Sequence, residues 1–479
     1  MKKLPLLFIV LLLVVTVVLR LYRIDAPLAD WHSFRQADTA AVARSYAQRG
    51  IDLLHPRYHD LSNIQSGKDN PEGWRMVEFP LYQGIGAMLF RSFPAVSLEM
   101  WLRLITVSAA AGTMLLLMAL VSAVSSPLVG LLTGLVYAVL PYSIYYGRTI
   151  LPETFAVFWA MLSLYLMSRG NKGVTGGWGV IIASALAGAT ALLVKPTAGF
   201  LLLPIPYLLF RRFGFSLYSF ICLFVYLLIC LLPLGWWRTW IAQYPEGIAA
   251  FDWLLNSGNI RLKGAWFEWL FAKRLGELIL GYWGLIPFGL GLVVPAKKEG
   301  WLFYLLGLGG LVYLVVFAAG NVQHDYYQII LLPMVSIYLA KGMNELITNK
   351  NFSLIPRYAL LCASTLFMLA FSWYTVRTYY WINRPEIVAT GQAADALLPR
   401  DAKVIAPYNG DTTFLYQTKR SGWPLGFDID KKIAQGATHY VTVSPTDNDF
   451  ETKELAQKYT VLVRNDTYAI IDLTKPKAP

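Results

Sequence analysis

The chain has 479 residues, of which 56% are hydrophobic and 15% charged, and its mean hydropathy is +0.48. That balance lies outside the range of a soluble domain of this length and predicts a polytopic membrane protein. The formal net charge of +12 is spread over short loops with no basic stripe interleaved with aromatics, so the charge speaks for orientation in a bilayer and against nucleic acid as a partner.

The first apolar stretch, residues 4–22 behind Lys2 and Lys3, has the length of a span and no small-residue cleavage site after it, which predicts a retained signal anchor. Further spans are predicted near 103–124, 127–146, 151–168, 178–195, 198–210, 216–236, 276–294, 301–319, 326–346 and 355–377, about eleven in all, with 198–210 the shortest. Residues 79–93 are apolar but fall below the roughly twenty that a spanning helix needs, so they predict a helix lying in the interface. With the N-terminus inside, Arg169/Lys172, Arg211/Arg212, Lys297/Lys298 and Lys350 all fall in short cytoplasmic loops. Arg20 and Arg23 stand at the outer end of the first span and go against that rule, which suggests that they serve a site.

The cysteines Cys222, Cys230 and Cys362 sit in apolar stretches without metal-site spacing, so neither a disulfide framework nor a zinc site is supported. From about residue 386 the composition becomes that of a soluble domain. Strands are predicted at 403–406, 439–444, 460–463 and 468–473, with helices near 386–398, 428–435 and 450–458. The predicted architecture is an α-helical membrane bundle over 1–385, with a long first outer loop at 23–102, and a small α/β domain over 386–479 on the outer face.

This topology brings the charged motif residues to that same face. Charge at a membrane boundary is costly unless it lines a wet or functional cavity. Asp30-Trp-His32-Ser-Phe-Arg35-Gln-Ala-Asp38 follows the first span, and Asp38 is expected in the first turn of a helix over about 35–48, where it either balances the macrodipole or takes a proton. Asp30 and His32 are further candidates for that base. Glu78 stands at the end of the same loop. Tyr145-Tyr-Gly-Arg148-Thr-Ile-Leu-Pro-Glu153 fills a tight turn between two spans, where Arg148 binds a phosphate and Glu153 orients an acceptor, or the two pair with each other. Lys195 ends a span either as a snorkelling anchor or as a phosphate partner. The His324-Asp325-Tyr326 run exceeds what an aromatic belt requires, although a lone His324 is more often structural. No Gly-rich phosphate loop, zinc-protease motif or nucleophile elbow is present.

The order of these features resembles the membrane-embedded GT-C glycosyltransferases, and is most similar to the branch of protein O-mannosyltransferases and lipid A aminoarabinose transferases. The features are an apolar anchor, an acidic outer loop with an interfacial helix opened by Glu78-Phe79-Pro80-Leu81, a Y-x-R-x-x-x-P-E turn, a Lys-Pro span end, His-Asp-Tyr-Tyr before a Leu-Leu-Pro span, and an outer tail. The resemblance covers roughly residues 1–377. It implies inverting transfer of a sugar from a polyprenyl-phosphate carrier to a lipid, protein or glycan acceptor on the outer face. The membrane would be a bacterial inner or plasma membrane, with the site on its periplasmic or extracellular side.

By the same resemblance Asp38 is the base, with Asp30 as its rival, since Arg35-Gln36 stand where the family commonly has an Asp-Glu pair. Glu153 matches the second outer acid. Lys195 and Arg148, with Arg20 or His324, would hold the phosphate, and Asp325, Tyr326, Arg35, His32 and Glu78 would line the substrate. Other members use a divalent ion; here the acids do not cluster in sequence, so no cofactor is indicated. The rival classes are a transporter or flippase of a lipid-linked sugar, for which no matching interrupted halves are evident, and an assembly protein that binds through its tail.

Overall fold

The structure is a computed structural model that describes residues 6–169, 177–351, 353–445 and 449–477. Lys2, Lys3, Lys172 and Asp447 lie outside the described residues. The chain divides into two compact units: residues 1–24, 103–239 and 251–379 form the first, and residues 25–102, 240–250 and 380–479 the second. The first outer loop therefore groups with the tail, and the boundary near 385 read from composition does not coincide with this division.

Among the described residues, five helical stretches are long and apolar enough to cross a membrane: Leu98–Val124, Gly177–Val194, Leu217–Ile241, Asp325–Thr348 and Leu354–Leu397. Apolar helices of 15, 13 and 15 residues, Leu6–Arg20, Pro127–Val139 and Leu302–Val316, accompany them. In the most apolar window of Asp325–Thr348, 89% is buried within the protein, against 22% for Leu217–Ile241. The first is a central helix, and the second presents Phe224, Leu231 and Leu232 outward as a lipid-facing side chain row would.

Several predicted spans are broken. The stretch 127–146 is Pro127–Val139 followed by Pro141–Tyr146, because Pro141 removes a donor and clashes with the preceding turn. The predicted span 198–210 is a 3-10 helix, Pro196–Leu202, and a helix, Ile205–Phe213, parted at Pro204. The predicted span 276–294 is interrupted between a π-helix, Glu268–Ile279, and Leu285–Val293. There Gly281 and Tyr282 take φ of 48° and 55°, and a Cβ on Gly281 would lie 2.3 Å from the Met368 carbonyl oxygen.

In the second unit, residues 79–93 form only a 12-residue helix, Leu81–Ser92, about 18 Å long and too short to span. The tail builds one five-stranded sheet from β1 (Lys403–Ile405), β2 (Ser421–Trp423), β3 (His439–Val443), β4 (Tyr459–Arg464) and β5 (Tyr468–Pro476). Its order is β2-β1-β3-β5-β4, with β2, β1 and β3 parallel and the β5 pairings antiparallel. Strand alternation sends Val404, Val441 and Ile470 to one face, against Ile387 and Phe414, and Ile405, Tyr440 and Ile471 to the other, against Leu455.

The edge strand β2 and the short helix Thr412–Gln417 do not appear among the predicted elements. Residues from the first outer loop continue the sheet beyond β2: Gly422 N donates to the His59 carbonyl at 2.9 Å and Leu61 N to the Gly422 carbonyl at 2.8 Å. The other side of Gly422 faces β1, where a Cβ would lie 1.7 Å from the Val404 carbonyl oxygen, so only glycine fits there.

Candidate active site

In the first unit, Pro152 starts the helix Pro152–Arg169 and places Glu153 in its first turn, where the backbone dipole favours an anion. Glu153 is fully buried. Its Oε1 lies 2.5 Å from Lys195 Nζ, and its buried Oε2 has no hydrogen-bond partner among the described residues. Lys195 stands in extended conformation where the helix Gly177–Val194 ends and Pro196 begins the next turn. Its ammonium is 5.7 Å from the Tyr327 ring centroid, which joins the Lys-Pro motif to the His324-Asp325-Tyr326 run. The ion-pair partner of Glu153 is thus Lys195, and not the Arg148 weighed for that role. Lys195 is no snorkelling anchor, because its side chain is 12% exposed.

Asp325 is buried and surrounded by tyrosines. Tyr146 donates to its Oδ1 at 2.6 Å, Tyr379 donates to its Oδ2, and Tyr142 donates to its carbonyl at 2.5 Å. Arg274 Nη1 lies 3.7 Å from Oδ2. His324 packs edge-on against Trp253, with ring centroids 5.6 Å apart, and Tyr326 stacks on Tyr327 at 4.6 Å. Arg148, buried, donates to the Arg23 carbonyl at 3.2 Å and lies 5.3 Å from the Tyr145 ring centroid. Arg20 has a different task from the one its position suggested. Its guanidinium donates to the carbonyls of Thr16, Ala138, Tyr137 and Ser143 and to the Ser143 hydroxyl, so it clamps the corner that Pro141 opens.

In the second unit, the helix Ser33–Arg49 begins two residues earlier than predicted, so Asp38 is in its second turn and no acid lies in its first. The reading of Asp38 as a balance to the macrodipole therefore falls. Asp38 is 1% exposed. Its Oδ2 lies 2.9 Å from Arg75 Nη2, and its Oδ1 accepts from the Thr412 hydroxyl at 2.7 Å. Arg35 pairs with Glu78. A cleft of about 10 Å³ lined by Arg35, Asp38, Arg75 and Glu78 has room for no more than about one water.

Asp30 accepts from Gln36 Nε2 at 2.9 Å and lines a separate cavity of about 270 Å³ together with Trp31, His32, Arg384, Tyr408 and Asp411. His32 takes the left-handed backbone conformation, φ 54°, which is strained for a residue with a Cβ. Below Asp38, Tyr58 contacts Asp60 at 3.4 Å, and His59 Nε2 meets the Thr412 carbonyl at 3.1 Å. Burial pushes the His59 imidazole down to about 4 and the Asp60 carboxyl up to about 6. Among the described residues, no three His, Cys, Asp or Glu side chains come together as a metal cage.

The sequence-predicted residues thus fall into two groups. Glu153, Lys195, Arg148, His324, Asp325 and Tyr326 belong to the first unit, and Asp30, His32, Arg35, Asp38 and Glu78 to the second. Sequence reasoning missed Arg274 and Tyr379, and also Arg75, His59, Asp60 and Thr412. Arg75 alone left a signal, as a cation three residues before Glu78.

No protein-family model matches the sequence, and no curated protein matches it. Solved structures do match in shape. The chain is similar to ArnT from Cupriavidus metallidurans bound to undecaprenyl phosphate, with a TM-score of 0.65 at 12% identity over 97% of both chains. The fold is the GT-C fold. It is also similar to the archaeal oligosaccharyltransferase AglB from Archaeoglobus fulgidus in complex with an inhibitory peptide and a dolichol-phosphate, with a TM-score of 0.55 at 9% identity, over 97% of this chain and 74% of that one. The mycobacterial arabinofuranosyltransferase AftD matches with a TM-score of 0.57 at 14% identity, over 98% of this chain but 42% of its own length. The helices long and apolar enough to cross a membrane fit this fold.

Proposed function

We propose that this chain is an inverting glycosyltransferase that moves a sugar from a polyprenyl-phosphate carrier to a lipid, protein or glycan acceptor at the outer face of a bacterial inner or plasma membrane. It would do so with about eleven membrane passes, the N-terminus inside and the tail outside. The observation that carries this reading is the pair of Lys195, mostly shielded from solvent, with the fully buried Glu153. A cation held largely from water, against an acid with one oxygen unsatisfied, is costly as mere structure and suits a site where a sugar phosphodiester gains a second negative charge as its bond to the sugar breaks. The likeness in fold to a protein bound to undecaprenyl phosphate supports the choice of carrier.

In the proposed reaction the acceptor oxygen attacks the anomeric carbon, the bond from that carbon to the phosphate oxygen breaks, and the carrier leaves as polyprenyl phosphate. Asp38 takes the acceptor proton. Lys195 and Arg148 offset the charge that grows on the leaving phosphate, and Glu153 orients groups around it. The cleft at Asp38 is closed, so substrate entry would part the Arg75–Asp38 or the Arg35–Glu78 pair. The test is release of undecaprenyl phosphate by the purified protein in nanodiscs, given a panel of undecaprenyl-phosphate-linked sugars with membrane extract as acceptor source. Release with at least one donor is expected, and release with none, from a folded protein, would overturn the reading.

A further inference from the structure

We propose that Thr412, in the C-terminal segment, is a positioning residue that fixes the carboxylate of Asp38 for proton transfer. The inference rests on the reading of Asp38 as the base. A carboxylate turns easily about its last bond, because that torsion has a broad minimum. Here each oxygen has its own partner: Oδ2 has Arg75 at 2.9 Å and Oδ1 has the Thr412 hydroxyl at 2.7 Å. A charge-assisted bond at each oxygen fixes the plane of the group as well as its place. Both residues are 1% exposed, so water does not stand in for the hydroxyl.

Thr412 is itself held in position. Its carbonyl accepts from His59 Nε2; since a carbonyl only accepts, that nitrogen carries the proton, and the buried Nδ1 has no partner. The preceding Asp411 caps the helix Thr412–Gln417 by accepting from the Thr413 amide at 2.7 Å. The Thr413 hydroxyl meets Ser33 Oγ at 3.0 Å, and the Thr412 hydroxyl lies 3.4 Å from the Phe34 carbonyl. The tail does not need Thr412 to stay attached to the first outer loop, because the backbone bonds of Gly422 to His59 and Leu61 already join them. The hydroxyl adds direction at the acid.

The experiment compares Thr412→Val, Thr412→Ser and Asp38→Asn in full-length protein in nanodiscs, with the undecaprenyl-phosphate-linked sugar that gives release above. Thr412→Val keeps the shape and loses the donor, and is expected to lower kcat about tenfold or more with KM for the donor unchanged. Thr412→Ser keeps the donor and is expected to stay within about threefold of the native rate. Adding Thr412→Val to Asp38→Asn should lower the rate no further, because the pair acts as a unit. Independently of turnover, amides of residues 34–41 should exchange faster with deuterium in Thr412→Val than in Thr412→Ser.

A native rate in Thr412→Val beside a dead Asp38→Asn would overturn the positioning role alone. So would equal losses in the Val and Ser variants, or unchanged exchange at residues 34–41. A native rate in Asp38→Asn would overturn the base assignment, and the positioning role with it.

Discussion

The Glu153 carboxylate and the Lys195 ammonium lie 2.5 Å apart, one at the start of a helix and the other at the end of a different one, so a single pair ties two long elements together beside the Tyr326–Tyr327 stack. Breaking a buried pair leaves a charge without compensation, which costs about 3–5 kcal/mol. Lys195→Ala should therefore lower the melting temperature and abolish transfer. The double variant Glu153→Gln/Lys195→Met should regain most of the stability and none of the transfer, as read by thermal melts and carrier release. Recovery of transfer in the double variant would reduce the pair to structure.

Asp38→Asn should reduce transfer by about a hundredfold to ten-thousandfold, the usual worth of a general base. It should also destabilise the protein, because Arg75 would be left buried without its carboxylate. Arg75→Gln in the same background should restore part of the stability. Asp30→Asn is expected to be milder, since Asp30 lines a different cavity and already accepts from Gln36. A dead Asp30→Asn beside an active Asp38→Asn would move the base to Asp30.

Topology gives a third test. The loop charges predict the tail outside and the end of Pro152–Arg169 inside. In a cysteine-free background, a cysteine at Ser444 should react with an impermeant reagent from outside, and one at Ser168 should not. Labelling at 168 with none at 444 would invert the protein.

The class of fold was legible because apolar length and loop charge are carried locally along the chain. The breaks at Pro141 and Pro204 were legible in principle, since each proline removes a donor, but an apolar run hides them from a hydropathy reading. The interruption at Gly281-Tyr282 was not legible, because it depends on the Met368 backbone, far away in sequence. In the candidate site, acids and cations near span ends were found by their cost in a membrane. Their partners were not: Thr412 lies 374 residues from Asp38, and Tyr379 lies 54 from Asp325, pairings that no local period announces. The clamp made by Arg20 was hidden for the same reason, because its acceptors are backbone carbonyls more than a hundred residues away.

The neighbours His59 and Asp60 make a pH prediction with opposing signs. The folded imidazole titrates at about 4, below its ordinary 6.5, so the unfolded chain takes up the proton first and acidification from about 6.5 to 4 removes stability, by about 3 kcal/mol in all. The folded Asp60 carboxyl titrates at about 6, above its ordinary 3.8, so the folded chain takes up the proton first and acidification from about 6 to 4 adds stability, by about 3 kcal/mol. Over their shared window the two slopes nearly cancel. Their combined effect on melting temperature should therefore be small between about pH 4 and 6. Asp60→Asn should make the protein less stable as acid is added, by exposing the His59 penalty, and His59→Gln should make it more stable over the same interval. Melts of the three proteins across this range, each referred to its own value at pH 7, decide the matter. Equal slopes in the two variants would mean that neither group is buried in the way its surroundings indicate.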